Sequence, residues 1–316
     1  MAANDSLCPS ERLRGVHAAT VCPLDEAWRV DEAALQAHLS RVMASRGIKG
    51  LLINGHAGEG AFLSLEEKAI VVEAARAAAG GKLVCAGITS ESTAAAVVEA
   101  ESAARHGADA LLVFPPNHFA LGHDAEMALT HHRAVAAVGL PLVLYRAPIL
   151  AGRMAYSVDT LQRLAEIETV AGIKEGSWEV AAYEEVRRTL KAARPDVAVL
   201  ASGDEHLLTG FLIGTEGSQV SLAAVAPDAV VALFEAAMGQ DWSRARRLHD
   251  ALYPLSVAIY RNPPAYRATP RLKACLAHQG AIPHAFVKPP NQEVGAAERG
   301  TLADALRAVD AWHAAA

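Results

Sequence analysis

From position 16 onward the chain alternates short, unbroken apolar runs with longer stretches whose apolar side chains recur every three or four positions. Unbroken runs suit strands buried on both faces, and the helical recurrence suits helices with one buried stripe. On this reading strands occupy 16–21, 50–54, 82–86, 110–114, 141–145, 170–174, 197–202 and 217–222. Helices lie between them at 31–45, 92–106, 124–138, 158–167 and 178–193, with a short one at 205–213. The helix after the second strand opens at Ser64, and Glu67 completes a capping box. About eight such units predict an α/β fold, a (β/α)8 barrel rather than an open doubly wound sheet. Past 226 only the helical pattern remains, at 227–238, 242–260, 270–278 and 296–314. The expected organisation is a barrel over 13–225 that carries the active site, followed by a C-terminal helical region over 226–316.

Composition narrows the partners. The 316 residues are enough for one large α/β domain or two modest ones. The 52% hydrophobic share is rich in alanine, so a large core and abundant helix are expected together. A formal net charge of -6 offers no basic surface for nucleic acid or an anionic membrane. No apolar run approaches the roughly 20 residues of a membrane helix, and the polar stretch 1–14 has no secretory core. The four cysteines, Cys8, Cys22, Cys85 and Cys275, are far apart and form no CxxC pair. They predict neither a zinc site nor a disulfide framework, and a reducing cytoplasm is the expected compartment. Of the 13 histidines most read as surface groups, and without an HExxH motif no metal is expected.

In a barrel of this kind the chemistry sits at the C-terminal ends of the strands. Those ends are Thr20, the turn Gly55-His56-Ala57-Gly58-Glu59, Phe114 to Asn117, Tyr145, Lys174, Ser202-Gly203-Asp204 and Val220-Ser221. Lys174 ends an apolar strand. Burial there favours its neutral amine, the form that attacks a ketone; the bland alternative is a strand-end lysine that reaches solvent. Tyr145, one strand away, suits proton transfer beside an imine or simple packing. The GHAGEG turn suits a carboxylate cradle or an ordinary structural turn. It is neither a P-loop nor a dinucleotide fingerprint. His56 either faces the cavity as a proton donor or fills the turn. Glu59 is a site carboxylate or a first-turn helix residue.

Taken in order, GHAGE (55–59), YRAPILAG (145–152), GIKEGS (172–177) and SGDE (202–205) resemble motifs of the dihydrodipicolinate synthase and N-acetylneuraminate lyase family. The resemblance covers roughly 13–290. It implies a (β/α)8 barrel with a C-terminal helical domain, assembled as a homo-oligomer, a tetramer or dimer. It implies an imine between Lys174 and the ketone of a 2-oxo acid, with no metal or organic cofactor. Tyr145 would be the general acid/base, and Gly55, His56 and Ala57 would line the carboxylate cradle. Val220 would pack on the bound imine, and Gly58, Glu59, Asn117, Leu150 and Gly203 would complete the substrate-binding set.

The chain also departs from the synthase pattern. His56-Ala57 replaces two threonines of the turn, Leu150 stands where the synthase has an arginine, and Asn117 lies near the place of a tyrosine lent by a neighbouring subunit. With Phe114 and Pro116, Leu150 suggests a less charged, partly apolar pocket. His56 is then expected to take over the missing threonine's proton shuttling. The leading expectation is a Schiff-base lyase, aldolase or dehydratase, acting on pyruvate or a pyruvate-derived adduct. The alternatives are the synthase with a remodelled site and a non-catalytic barrel that binds an oxo acid.

Overall fold

The computed structural model describes residues 8–315, so the first half of the polar N-terminal stretch lies outside the described residues. Eight strands form a closed parallel barrel in sequence order. They are β1 (Gly15–Ala19), β2 (Ile48–Ile53), β3 (Leu83–Ile88), β4 (Ala110–Val113), β5 (Leu142–Arg146), β6 (Val170–Glu175), β7 (Ala198–Ala201) and β8 (Gly217–Val220). Every neighbouring pair is parallel, and β8 closes onto β1 through Gln219 opposite His17.

A short helix, α1 (Pro9–Arg12), precedes the barrel, and Leu13 behind it packs into the lumen. The surrounding helices are α2 (Glu32–Ala44), α3 (Leu65–Ala79), α4 (Thr93–Arg105), α5 (Ala125–Ala136), α6 (Val158–Ala165), α7 (Val180–Ala193) and α8 (Leu207–Leu212). Their starts follow from side-chain caps. Asp31, Ser64, Ser92, Asp124 and Ser157 each accept a backbone N–H of the first turn, and Ser64 with Glu67 forms the expected box.

After β8 come a single turn, α9 (Leu222–Val225), and α10 (Pro227–Met238), which packs against β1 and α8. Then follow α11 (Trp242–Ser256), α12 (Ala268–His278) and α13 (Ala296–Ala315). The helix expected over 242–260 is interrupted. Pro254 removes an N–H, and the chain widens into a π-helical turn at Val257–Arg261.

Strand alternation divides the core in two. A large cluster lies between strands and helices; a smaller one fills the lumen with Leu52, Cys85, Leu112, Val143, Tyr145 and Leu200 among others. Most of the described histidines are exposed or part-buried, as expected, and four are exceptions. His17, His38, His131 and His132 are buried rather than superficial. Burial holds His17, His38 and His132 neutral, at about 4, 3 and 4 respectively. They act as polar core residues: the His17 ring shares a hydrogen bond with the Leu13 carbonyl, and that of His132 with the Ala128 carbonyl.

Candidate active site

Lys174 and Tyr145 are register partners on β6 and β5. Residues paired across parallel strands face the same side, so both side chains enter the lumen while their neighbours Glu175 and Arg146 face the helices. The Lys174 Nζ lies 5.7 Å from the centre of the Tyr145 ring. Burial lowers the Lys174 ammonium to about 8, opposed in part by the charge of Asp204. The Tyr145 phenol is pushed the other way, by burial first and then by the charges of Glu175 and Asp204, so it keeps its proton. A partly uncharged amine thus stands beside a proton-bearing phenol.

Behind β6, Glu175 pairs with Arg146 at 3.4 Å and accepts the Ser177 hydroxyl at 2.9 Å. Burial raises this carboxyl to about 7. Gly176 leaves room for the phenol. A Cβ there would stand 2.7 Å from the Arg146 carbonyl oxygen and 3.0 Å from the Tyr145 ring.

The 55–59 turn rises beside this pair. Its backbone is wound tightly enough that a Cβ on Gly60 would fall 1.8 Å from the Asn54 carbonyl oxygen. Asn54 and Glu59 both adopt left-handed backbone. Among the described residues the N–H groups of His56, Ala57 and Gly58 donate to no other group. Such clustered free donors in a turn favour an anion. The His56 ring is open to solvent at the barrel mouth, 4.4 Å from the Phe114 ring and 5.6 Å from that of Tyr145, centre to centre. Crowding by protein atoms, and then the Lys174 charge, lower its basicity. It is therefore a neutral imidazole near pH 7.

On the opposite side of Lys174 lies Asp204, buried and raised to about 6 by desolvation. It accepts the Leu222 N–H at 2.9 Å, and the Tyr260 hydroxyl lies against it. Tyr260 also shares a 2.6 Å hydrogen bond with Ser221. It is carried by the π-helical turn, a local widening often found at functional sites.

Five of the expected site residues lie apart from the Lys174–Tyr145 pair in the single chain. Val220 points outward into the helix-facing core, so it does not reach the lumen; the inward residue is Gln219. Gln219 is fully buried with its amide against the Cys85 thiol, a weak partner, and neither its Nε2 nor its Oε1 makes any stronger hydrogen bond. Leu150 is 99% exposed in the single chain and lines no apolar pocket; Phe114 supplies the apolar wall. Asn117 is also exposed, and its side-chain amide donates to Glu91 at 2.6 Å. Glu59 turns its carboxylate away from the mouth toward the buried Lys273. Gly203 lines a narrow crevice, with Trp178 and Tyr183, on the helix side of β6 and β7. Gln219 was legible from the two-residue alternation of β8, whereas Tyr260, Thr269 and Lys273 carried no signal in the sequence.

The comparisons with known proteins agree with this geometry. The Dihydrodipicolinate synthetase family model matches residues 12–309. A DapA-like lyase of Halobacterium salinarum is 35% identical over 254 residues, covering 79% of this chain and 81% of its own. A 4-hydroxy-tetrahydrodipicolinate synthase of Methylobacterium radiotolerans is 35% identical over 253 residues, with the same two coverages, 79% and 81%. Among solved structures, the dihydrodipicolinate synthase of Agrobacterium tumefaciens superposes with a TM-score of 0.85 at 29% identity, covering 96% of this chain and 100% of its own. The sialic acid aldolase of Ruminococcus gnavus shares the fold, with a TM-score of 0.84 at 21% identity over 95% of this chain and 97% of its own. A lysine-bearing barrel mouth, a family model over nearly the whole described chain and relatives of this identity together establish that the protein belongs to the dihydrodipicolinate synthetase family and is a lyase.

Proposed function

We propose that the protein captures a 2-oxo acid, pyruvate or a pyruvate-derived adduct, as an imine on Lys174. In an adduct with a substituent on the carbon next to the imine, it then breaks the C–C or C–O bond β to the imine carbon; pyruvate itself has no such bond and only forms the imine. The observation that carries this reading is the Lys174–Tyr145 pair, a lumen amine brought down to about 8 beside a protonated phenol. The amine attacks the ketone and water leaves, with Tyr145 passing the proton to the departing oxygen. The free N–H groups of His56 and Ala57 receive the substrate carboxylate. In C–C cleavage the protonated imine accepts the electron pair of the breaking bond while the distal hydroxyl loses its proton and becomes a carbonyl. In C–O cleavage the imine first takes the pair of the adjacent C–H bond, and the resulting enamine expels the β-oxygen, which leaves with its own pair and a proton as water. His56, a neutral imidazole at the mouth, takes or returns the proton on the distal part of the substrate. No metal or organic cofactor enters this scheme.

The test is reduction with borohydride in the presence of pyruvate. The expected result is one reduced adduct at Lys174, absent from a Lys174→Ala protein. No adduct with pyruvate or with larger 2-oxo acids would count decisively against the reading.

A second reading, synthase activity with aspartate semialdehyde, is supported by the names of relatives at 35% identity. Leu150 in place of a charged grip on that substrate argues against it. A coupled condensation assay separates the two readings. We further propose a cytoplasmic homo-oligomer, supported by the four unbridged cysteines and the exposed leucines near the mouth. Among the described residues no helix is long and apolar enough to cross a membrane.

A further inference from the structure

The turn that offers the free N–H groups does not hold itself in place. Thr269, on α12, donates its hydroxyl to the His56 carbonyl at 3.0 Å. One turn later on the same helix, Lys273 is 0% exposed and its ammonium meets the Glu59 carboxylate. The same ammonium donates to the Phe286 carbonyl at 2.7 Å. The other Glu59 oxygen accepts the Lys288 N–H at 2.8 Å, and the Lys288 ammonium reaches Glu67 at the start of α3, 2.6 Å away. Residues from the C-terminal helical region therefore grip both ends of the 56–59 turn.

The contacts made to the turn itself use its acceptors, the His56 carbonyl and the Glu59 carboxylate. None uses its N–H donors. A fully buried ion pair is weak as a source of stability, because desolvation offsets the attraction. What such a pair does well is fix one arrangement. Glu59 also sits in left-handed backbone, at a φ of 55°, which a non-glycine residue keeps only when its surroundings hold it there.

We propose that α12 is a positioning element of the carboxylate cradle: Lys273 and Thr269 hold the 56–59 turn so that its free N–H groups face the substrate carboxylate. The proposal rests on the imine reading above. Lys273 and Thr269 are positioning residues, since neither touches the reacting atoms. Losing them costs recognition of the carboxylate and leaves the reactivity of the Lys174 amine as it was.

The experiment compares borohydride trapping at Lys174 with two ketones, pyruvate and acetone, which differ in the carboxylate. It uses the full-length wild type, Thr269→Val and Lys273→Met. Thr269→Val keeps the side-chain shape and removes only the bond to the His56 carbonyl, so it covers the case in which Lys273→Met fails to fold. The expected result is a half-saturating pyruvate concentration raised severalfold in Thr269→Val and about tenfold or more in Lys273→Met. Acetone trapping should stay within about twofold of wild type. A parallel loss for both ketones, or no loss for either, overturns the proposal. A wild type that traps no 2-oxo acid overturns the imine reading, and this proposal with it.

Discussion

At the scale of the residue, the reactivity assigned to Lys174 comes from its surroundings. An ordinary lysine, near 10.5, carries a free amine in only about one molecule in 300 at pH 8. Burial brings Lys174 to about 8, where about half of the molecules carry one. The amine is the deprotonated form, so the sign is fixed: activity rises with pH and levels once the group has titrated. Borohydride trapping at limiting pyruvate should climb nearly tenfold per pH unit below about 7.5 and flatten above about 8.5. A rise that continues unchanged past pH 9.5 would mean an unperturbed lysine. Tyr145 stays protonated across this range and adds no second limb.

At the scale of the element, β8 shows how strongly strand alternation constrains a site. Its inward position holds an amide with only the weak Cys85 thiol against it where an apolar side chain would pack without cost. Leaving such a group unpaired costs roughly 1–3 kcal/mol. Gln219→Leu should therefore raise the melting temperature of the ligand-free protein by about 2 °C or more, measured by calorimetry. An unchanged or lower value would show that the amide is satisfied in solution. The same element marks what was legible in the sequence. Unbroken apolar runs located all eight strands to within a few residues, because strands buried on both faces are written in composition alone. The motif ends placed Lys174, Tyr145 and His56 together at one mouth. Val220 was misjudged because the site was read from the end of the strand and not from its two-residue alternation, which puts Gln219 and Val220 on opposite faces. Leu150 and Asn117 sit on irregular loops, which have no periodicity from which to read their orientation. Tyr260 and Lys273 were missed because their partners lie far away in sequence.

At the scale of the whole molecule, the loops around the mouth leave apolar side chains uncovered. Leu121 is 86% exposed and Leu150 99%, on two short 3-10 segments, Asn117–Leu121 and Ile149–Met154. Arg153 ties the segments together by donating to the Leu121 carbonyl at 3.3 Å. Exposed apolar side chains grouped in this way are usual at contact surfaces. Wild type should sediment as a dimer or tetramer, and Leu121→Asp with Leu150→Asp should sediment as a smaller species. Identical sedimentation of the two would place any assembly elsewhere.

Lys174 and Glu175 are consecutive on β6, one turned into the lumen and the other toward the helices. A slip of a single position along that strand would exchange them. The barrel would still count eight staves, yet an acid would replace the amine at its centre, and a cation would lie stranded among helices. Length changes in the loop between β5 and β6 are thus tolerable only where they leave this phase intact, and the chemistry is a more sensitive gauge of strand registration than folding is.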